Sequence, residues 1–492
     1  MFDAFATGGL FPRKEDIERL KRYRSARKLF DGRHHEHVNA KRIADKLRES
    51  NASIGGLSAE GVVYLIFNSP RLICTKFADL QILQTPEVRL EGERSNSLDF
   101  IDELLEDQPG LWAELHYALE LKRAMGDGGL VIGRNKAEEV RIRAIDPAEW
   151  FPVLSSTDTM DYDAHQLAWI EEFEENRELV QYLRVDYMRP GGVDRLAFVL
   201  GKDTARKTGG STEDTLDSQF EIGKEVKLDQ HWPDLAETDE ENNLGDLIPF
   251  VHIPHGRLAP LLPFGRPEFT DSGGLVDDLN WRLSTWSDAN DKVAHPPRII
   301  PRSYLKQSED GDVSIPSQYE RVFVGKSNGE PGDRPGYMSM EFSHETLREQ
   351  FELSLIAFLM RHEMAPALLG WQTGKQRESG EAKSLGMGTT EAATKRDVLQ
   401  LQPRLASAFT IGARLKGNAK ASASVHMRTG LPKSQDEIRE EVEAEMRAGL
   451  MTKRDALERL NPTMSPEEIE EKLAALDAER QAEAKVFEAE IQ

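Results

Sequence analysis

Two helix-patterned segments of similar length, bracketing a strand-patterned insert, constrain this chain most. After Gly273, the residues Leu275, Leu279, Leu283 and Trp286 recur at spacings of four, four and three, which places them on one face of an α-helix. That helix is about 20 residues and roughly 30 Å long. Pro296-Pro297 closes it, because a residue before proline is driven out of the helical region. The second helix starts at Ser343, a good N-cap, with Glu345 in the first turn. Its apolar stripe is Leu347, Phe351, Leu355, Phe358 and Leu359, and Pro366 ends it. Between the two, strand patterns occupy 298–300, 321–325 and 337–342. A helix with one apolar face needs a neighbour, so the pattern predicts an antiparallel helix pair carrying a small β tip.

Upstream, helical periodicity covers 12–30 (Ile17, Leu20, Tyr23, Leu29, Phe30), 71–83 (Leu72, Ile73, Phe77, Leu80, Leu83) and 111–125 (Leu111, Leu115, Ala118, Leu119). Strand patterns follow at 86–90, 130–133, 140–145, 166–173, 179–188, 196–200, 220–226 and 247–254, separated by turn residues. They predict a mixed, largely antiparallel sheet. Residues 201–246 read as loops or insertions around short strands. Downstream come a Gly- and Ser-containing loop at 370–380, a long helix at 381–415, one strand within 424–431, and short helices from Asp436, punctuated by Gly449 and Asn461-Pro462. The fold class is α+β.

Composition narrows the function. With 492 residues and 39% hydrophobic content, the chain has material for several compact units. Mean hydropathy is −0.55, and no apolar run approaches the ~18 residues of a membrane span. Residues 1–13 lack the basic start of a signal peptide. The single cysteine, Cys74, excludes an internal disulfide framework and any zinc site built on several cysteines. It sits in an apolar helix pattern, as a buried structural thiol would, and a reducing compartment is expected. A formal charge of −23, from 63 basic and 86 acidic residues, opposes tight gripping of nucleic acid.

Catalytic motifs are near misses. His34-His35-Glu36-His37 is the densest ligand cluster, but counting from His35 the last zincin position is Asn39. His362-Glu363 fails at Pro366 in the same way. Gly126-Asp127-Gly128-Gly129 lacks the third glycine of a dinucleotide fingerprint and reads as a tight turn. The segment 370–375 is one residue short of a phosphate loop, and Gln376 stands where Ser or Thr is required. The expectation is no enzyme, no cofactor and no metal. A metal-dependent hydrolase using His34, His35 and His37 is the alternative of a different class.

An ordered set of short motifs completes the reading: Leu29-Phe30-Asp31-Gly32-Arg33-His34; Asn68-Ser69-Pro70-Arg71-Leu72-Ile73 with Pro86; Ala124-Met125-Gly126-Asp127-Gly128; Ile145-Asp146-Pro147 with Phe151-Pro152-Val153; Ile248-Pro249-Phe250-Val251-His252-Ile253 with Gly265; Asp278-Leu279-Asn280 with Leu283-Ser284; Ser379-Gly380-Glu381-Ala382; and Leu431-Pro432-Lys433 through Ser465-Pro466-Glu467-Glu468. In this order they resemble the portal (connector) proteins of tailed double-stranded DNA bacteriophages, over about residues 29–480. Asp31-Gly32 reverses the family's glycine-aspartate order, and 188–246 matches no family motif.

The resemblance implies a ring of about twelve subunits at one capsid vertex, assembled in the host cytoplasm and kept in the virion. It implies an N-terminal arm (1–30), a wing (31–264), a first stem helix (265–294), a clip (295–342), a second stem helix (343–363), a tunnel loop (364–384), a long helix returning through the wing (385–423) and a C-terminal crown (424–492). Trp371, Lys375, Arg377 and Lys383 would lie at or beside the DNA channel. Arg298, Arg302, Arg321, Lys326 and Tyr337 would serve docking at the clip. Implied partners are further copies of the chain, double-stranded DNA, the terminase large subunit, a head-completion adaptor, and the major capsid and scaffolding proteins. Another head–tail adaptor or minor capsid protein is the alternative within the same class.

Overall fold

Alternating apolar and polar residues in the middle of the chain build its largest sheet. The computed structural model describes residues 3–34, 65–82, 85–91, 97–175, 177–201, 219–240, 243–259, 262–294, 298–301, 322–325, 336–337, 343–369, 380–427, 435–461 and 468–475. They fall into two compact units, residues 1–427 and 428–492.

In the first unit, β1 (Leu10–Phe11) leads into α1 (Lys14–Phe30), α2 (Ser69–Ile82), β2 (Glu87–Glu91), α3 (Ser97–Asp107) and α4 (Leu111–Met125). Next come β3 (Asp127–Arg134), β4 (Val140–Ala144), β5 (Trp150–Leu154), β6 (Tyr162–Glu175), β7 (Glu178–Arg189), β8 (Gly192–Leu200), β9 (Phe220–Val226), β10 (Thr238–Glu240) and β11 (Phe250–Pro254). The stalk elements are α5 (Gly273–Ala294), the short strands β12 (Arg298–Pro301), β13 (Val322–Gly325) and β14 (Gly336–Tyr337), and α6 (His344–Arg361). The 36-residue α7 (Gly380–Leu415) and β15 (Ser422–His426) close the unit.

Seven strands form one antiparallel sheet in the order β1-β9-β8-β7-β6-β5, with β10 also on β8. Residues 3–30, expected to be an arm, are built into this sheet and its core. β1 pairs with β9, the Phe5 amide donates to Gln166 Oε1 at 2.9 Å, and the rings of Phe5, Phe11 and Phe151 lie 5.2–5.4 Å apart. The described part of 188–246 supplies β8, β9 and β10, with a short 3-10 turn at Leu228–Gln230 and loop residues between β9 and β10.

A second, three-stranded sheet, β11-β3-β4, is covered by α4 and α7. Leu111, Leu115, Ile132, Ile142, Leu401, Leu405 and Phe409 are buried there. Helix α3 was not anticipated, although Ile101, Leu104 and Leu105 carry helical spacing; Leu104 is buried in the same core. β15 pairs antiparallel with β2, so 424–427 belong with this unit rather than with the C-terminal helices.

In the second unit, α8 (Gln435–Arg447) and α9 (Lys453–Leu460) form a helix pair. Thr452 and Asp455 make a capping box, Arg459 bridges Glu441 and Glu445 at 3.0 and 2.8 Å, and Val442 and Ala456 are buried. Among the described residues no helix is long and apolar enough to cross a membrane.

Candidate functional site

The stalk begins at a backbone crossing that only glycines allow. α4 ends at Gly126, whose φ of 94° is left-handed. A Cβ there would meet the backbone of Arg266 and Pro267 at 2.7 Å, and a Cβ on Gly265 would lie 1.9 Å from the Gly126 carbonyl oxygen. The next residue, Asp127, is buried and accepts hydrogen bonds from Tyr23 Oη, from His252 Nε2 at 2.8 Å and from the Gly265 amide at 2.8 Å. The segment that fails as a nucleotide motif is a helix cap at Gly126 followed by the first residues of β3, not a four-residue turn, and it anchors the chain leading into α5.

α5 and α6 pack on each other as the sequence pattern predicts. Leu279, Phe351, Leu355 and Phe358 are buried in one core, and Leu275 and Leu283 pack partly buried against it. The half-buried Trp286 ring lies 6.5 Å from Phe351, and Leu347 is half-buried. Polar residues between these fix the register. Asp278 accepts from Arg282 Nε at 2.7 Å and from Ser354 Oγ, while Arg282 Nη1 reaches Gln350 Oε1 at 3.0 Å.

Asn280 and Ser284 face the other way. Asn280 Oδ1 accepts the Phe67 amide at 2.7 Å, and Ser284 Oγ accepts the Leu65 amide at 2.9 Å. Asn280 Nδ2 lies 2.7 Å from His34 Nδ1, and His34 Nε2 lies 2.9 Å from the Leu29 carbonyl. The amide donates to Nδ1 and Nε2–H donates to the carbonyl, so both ring nitrogens are engaged in tying α1 to α5. His34 therefore has no nitrogen for a metal. His35 and His37 lie outside the described residues, and among those described no group of three His, Cys, Asp or Glu is placed to hold one.

At the base of the stalk sits a buried ionic cluster. Glu268, just before α5, accepts from His255 Nε2 at 2.7 Å, from His362 Nδ1 at 2.6 Å and from Arg123 Nη1 at 3.0 Å. The other arm of Arg123 binds Asp397 of α7, which also accepts from Gln81 Nε2 at 3.1 Å. The Arg123 guanidinium lies 3.6 Å from the centre of the Phe77 ring. Burial pushes the Glu268 carboxyl up, but hydrogen bonds from the two histidines and the Arg123 charge outweigh it and hold the group far below the usual carboxylate range. Burial lowers Lys122, whose Nζ has no hydrogen-bond partner among the described residues. His362 caps α6, and Glu363 follows at φ 54°, a left-handed conformation that ends the helix.

The remaining predicted residues are distributed as follows. Arg298 and Tyr337 are register partners on adjacent antiparallel strands of the β13-β12-β14 sheet. Arg302, Arg321 and Lys326 lie outside the described residues, as do Trp371, Lys375 and Arg377. α7 starts at Gly380, one residue before the helix read from the sequence, so Lys383 belongs to its first turn, inside the span 364–384 that the resemblance gives to a loop.

Sequence reasoning missed a second stripe on α6. Leu353, Ile356, Ala357 and Met360 follow helical spacing on the side away from Phe351, Leu355 and Phe358. Leu353 is 67% exposed and Met360 71%. On the long helix, Leu399 is 72% exposed, one turn before Pro403. A helix apolar on both sides is ordinarily buried on both, and that all-round pattern was the signal to find.

No family model matches the chain, and no curated protein matches it in sequence. Among solved structures it is similar to a chain from the neck of a native GTA particle computed with C12 symmetry. That match has 17% identity and a TM-score of 0.35, covering 80% of this chain and 88% of the other. It is also similar to a chain from the neck of an empty GTA particle computed with C6 symmetry, with 14% identity and a TM-score of 0.34, covering 80% and 89%.

Proposed function

We propose that this protein is a portal-type connector subunit that assembles into a ring of about twelve copies around a DNA channel, without enzymatic activity. The observation that carries the reading is the second apolar stripe of α6. Leu353 and Met360 stand exposed on a helix whose opposite face is already in the core. A head-to-tail contact with the next copy covers such a stripe and, repeated around an axis, closes a ring. The antiparallel helix pair flanking a small β sheet, and the ordered sequence motifs, support the same reading.

In this reading the β12–β14 tip docks the terminase large subunit during packaging and the head-completion adaptor afterwards. The major capsid and scaffolding proteins surround the ring in the virion. A chain of net charge −23 makes the assembled wall repel phosphate, so DNA slides rather than sticks. Trp371, Lys375, Arg377 and Lys383 supply brief contacts near the channel. The test is the mass of the full-length protein by light scattering, with electron micrographs of the same sample. Rings near 670 kDa, about twelve copies, are expected. A monomer at all protein and salt concentrations overturns the proposal.

A further inference from the structure

The long helix α7 is held to the rest of the first unit in two different ways. From Val398 onward it is fastened by an apolar core: Val398, Leu401, Leu405, Ala408, Phe409 and Leu415 are all buried in the cluster that includes the second sheet. Before that point, its described residues give the stem-side core a single side chain, Ala393. The first half is instead attached through polar links. Thr390 Oγ1 accepts the Ala365 amide at 2.7 Å and donates to the Glu363 carbonyl at 2.8 Å. Arg396 pairs with Glu363 on the surface. Asp397 binds Arg123, and Arg123 binds Glu268, whose other oxygen is held by the α6 cap His362.

The two kinds of attachment respond differently to displacement. A close-packed apolar core resists sliding, because any shift opens voids. Hydrogen bonds and ion pairs are discrete contacts, each broken or remade as a unit without a void opening along the helix. We propose that Arg123 is the pin of an ionic latch. It joins the first half of α7 to the bases of both stem helices, so that these elements engage and release together while the second half of α7 stays seated. Glu268 precedes α5, His362 caps α6 and Asp397 lies on α7, and each is connected to the others through the Arg123–Glu268 pair. The latch is a property of the single chain and does not depend on ring assembly.

The test is hydrogen–deuterium exchange of the full-length protein with peptide resolution, for wild type and for Asp397→Asn. Among the described residues the Asp397 carboxylate accepts from Gln81 on α2 and from Arg123, and Arg123 is the one of the two that continues to Glu268. Removing its charge is expected to raise exchange at least tenfold both at 387–397 and at the stem base, 358–365. Amides at 401–415 should be unchanged, and the Cys74 thiol should stay unreactive toward a disulfide reagent. A rise confined to 387–397 overturns the latch. So does a rise accompanied by Cys74 labelling, which reports general opening of the core. If Asp397→Asn does not fold, Arg123→Lys, which keeps the charge but loses the fork that spans Glu268 and Asp397, must give the same paired rise at lower amplitude. Unchanged stem amides in that variant refute the proposal.

Discussion

Converting the exposed stripe of α6 to charge, in the double variant Leu353→Glu with Met360→Glu, tests the assembly directly. Fully burying a leucine or methionine contributes about 1.5–3 kcal/mol. With 67% and 71% of these residues still exposed in the single chain, roughly two-thirds of that gain remains to be collected at a subunit contact. The pair therefore accounts for about 2–4 kcal/mol per interface, or about 30- to 1,000-fold in the pairwise association constant. Burying two carboxylates there adds a further penalty. The fold itself should be affected by less than about 0.5 kcal/mol, because neither side chain belongs to the core. Sedimentation velocity across a concentration series, with a thermal melt of the same material, separates the two effects. The expected result is a folded monomer with a wild-type melt. By contrast Leu355→Ala, in the buried stripe, should cost about 2–5 kcal/mol in the melt. Rings of the double glutamate variant forming at wild-type concentrations would refute the reasoning.

Three further outcomes are expected. Gly265→Ala places a Cβ on the Gly126 carbonyl and should cost about 3 kcal/mol in denaturant unfolding; a change under about 0.5 kcal/mol means that the crossing is not tight. His165, His252 and His255 are buried with their pKa values lowered, mainly by burial, so the unfolded chain binds more protons than the folded one below pH 6.5. Stability should be intact above about pH 6.5 and fall by as much as about 4 kcal/mol per pH unit below it; the depressed Asp127, Asp397 and Glu268 extend the loss below about pH 4, and a flat stability between pH 7 and 5 contradicts this. Lys375→Glu combined with Arg377→Glu should leave folding and assembly intact but reduce packaged or retained DNA, measured as the fraction of filled particles; wild-type yield removes these cations from the mechanism.

Much of the architecture was legible because apolar periodicity is a local signal. The limits of α4 and α5, the N-cap at Ser343 and the strand β9 follow from spacing and from residues that start or stop an element. The apolar spacing of Phe351, Leu355 and Phe358, buried on α6, is a local signal of the same kind. The second stripe escaped because Phe351, Leu355 and Phe358 already satisfied an amphipathic reading, and which of two apolar faces is covered depends on neighbours distant in sequence. The boundary at residue 30 was misleading for a related reason. Asp31-Gly32 ends a helix locally, yet Phe5 and Phe11 meet Phe151 across the large sheet.

The polar assignments divide along the same line. By itself the sequence determined that α4 stops at Gly126 and that His34-His35-Glu36-His37 is no zincin motif, although the turn expected over 126–129 is confined to Gly126 and Asp127 already opens β3. Only the tertiary structure decided what those residues do. Asp127 meets Tyr23 and His252, His34 meets Asn280, and Arg123 joins Glu268 to Asp397 across separations of 145 and 274 residues. A charged side chain carries no periodic signal of its partner. Burial decides whether its charge is solvated or must be paired, and burial is a property of the packed chain.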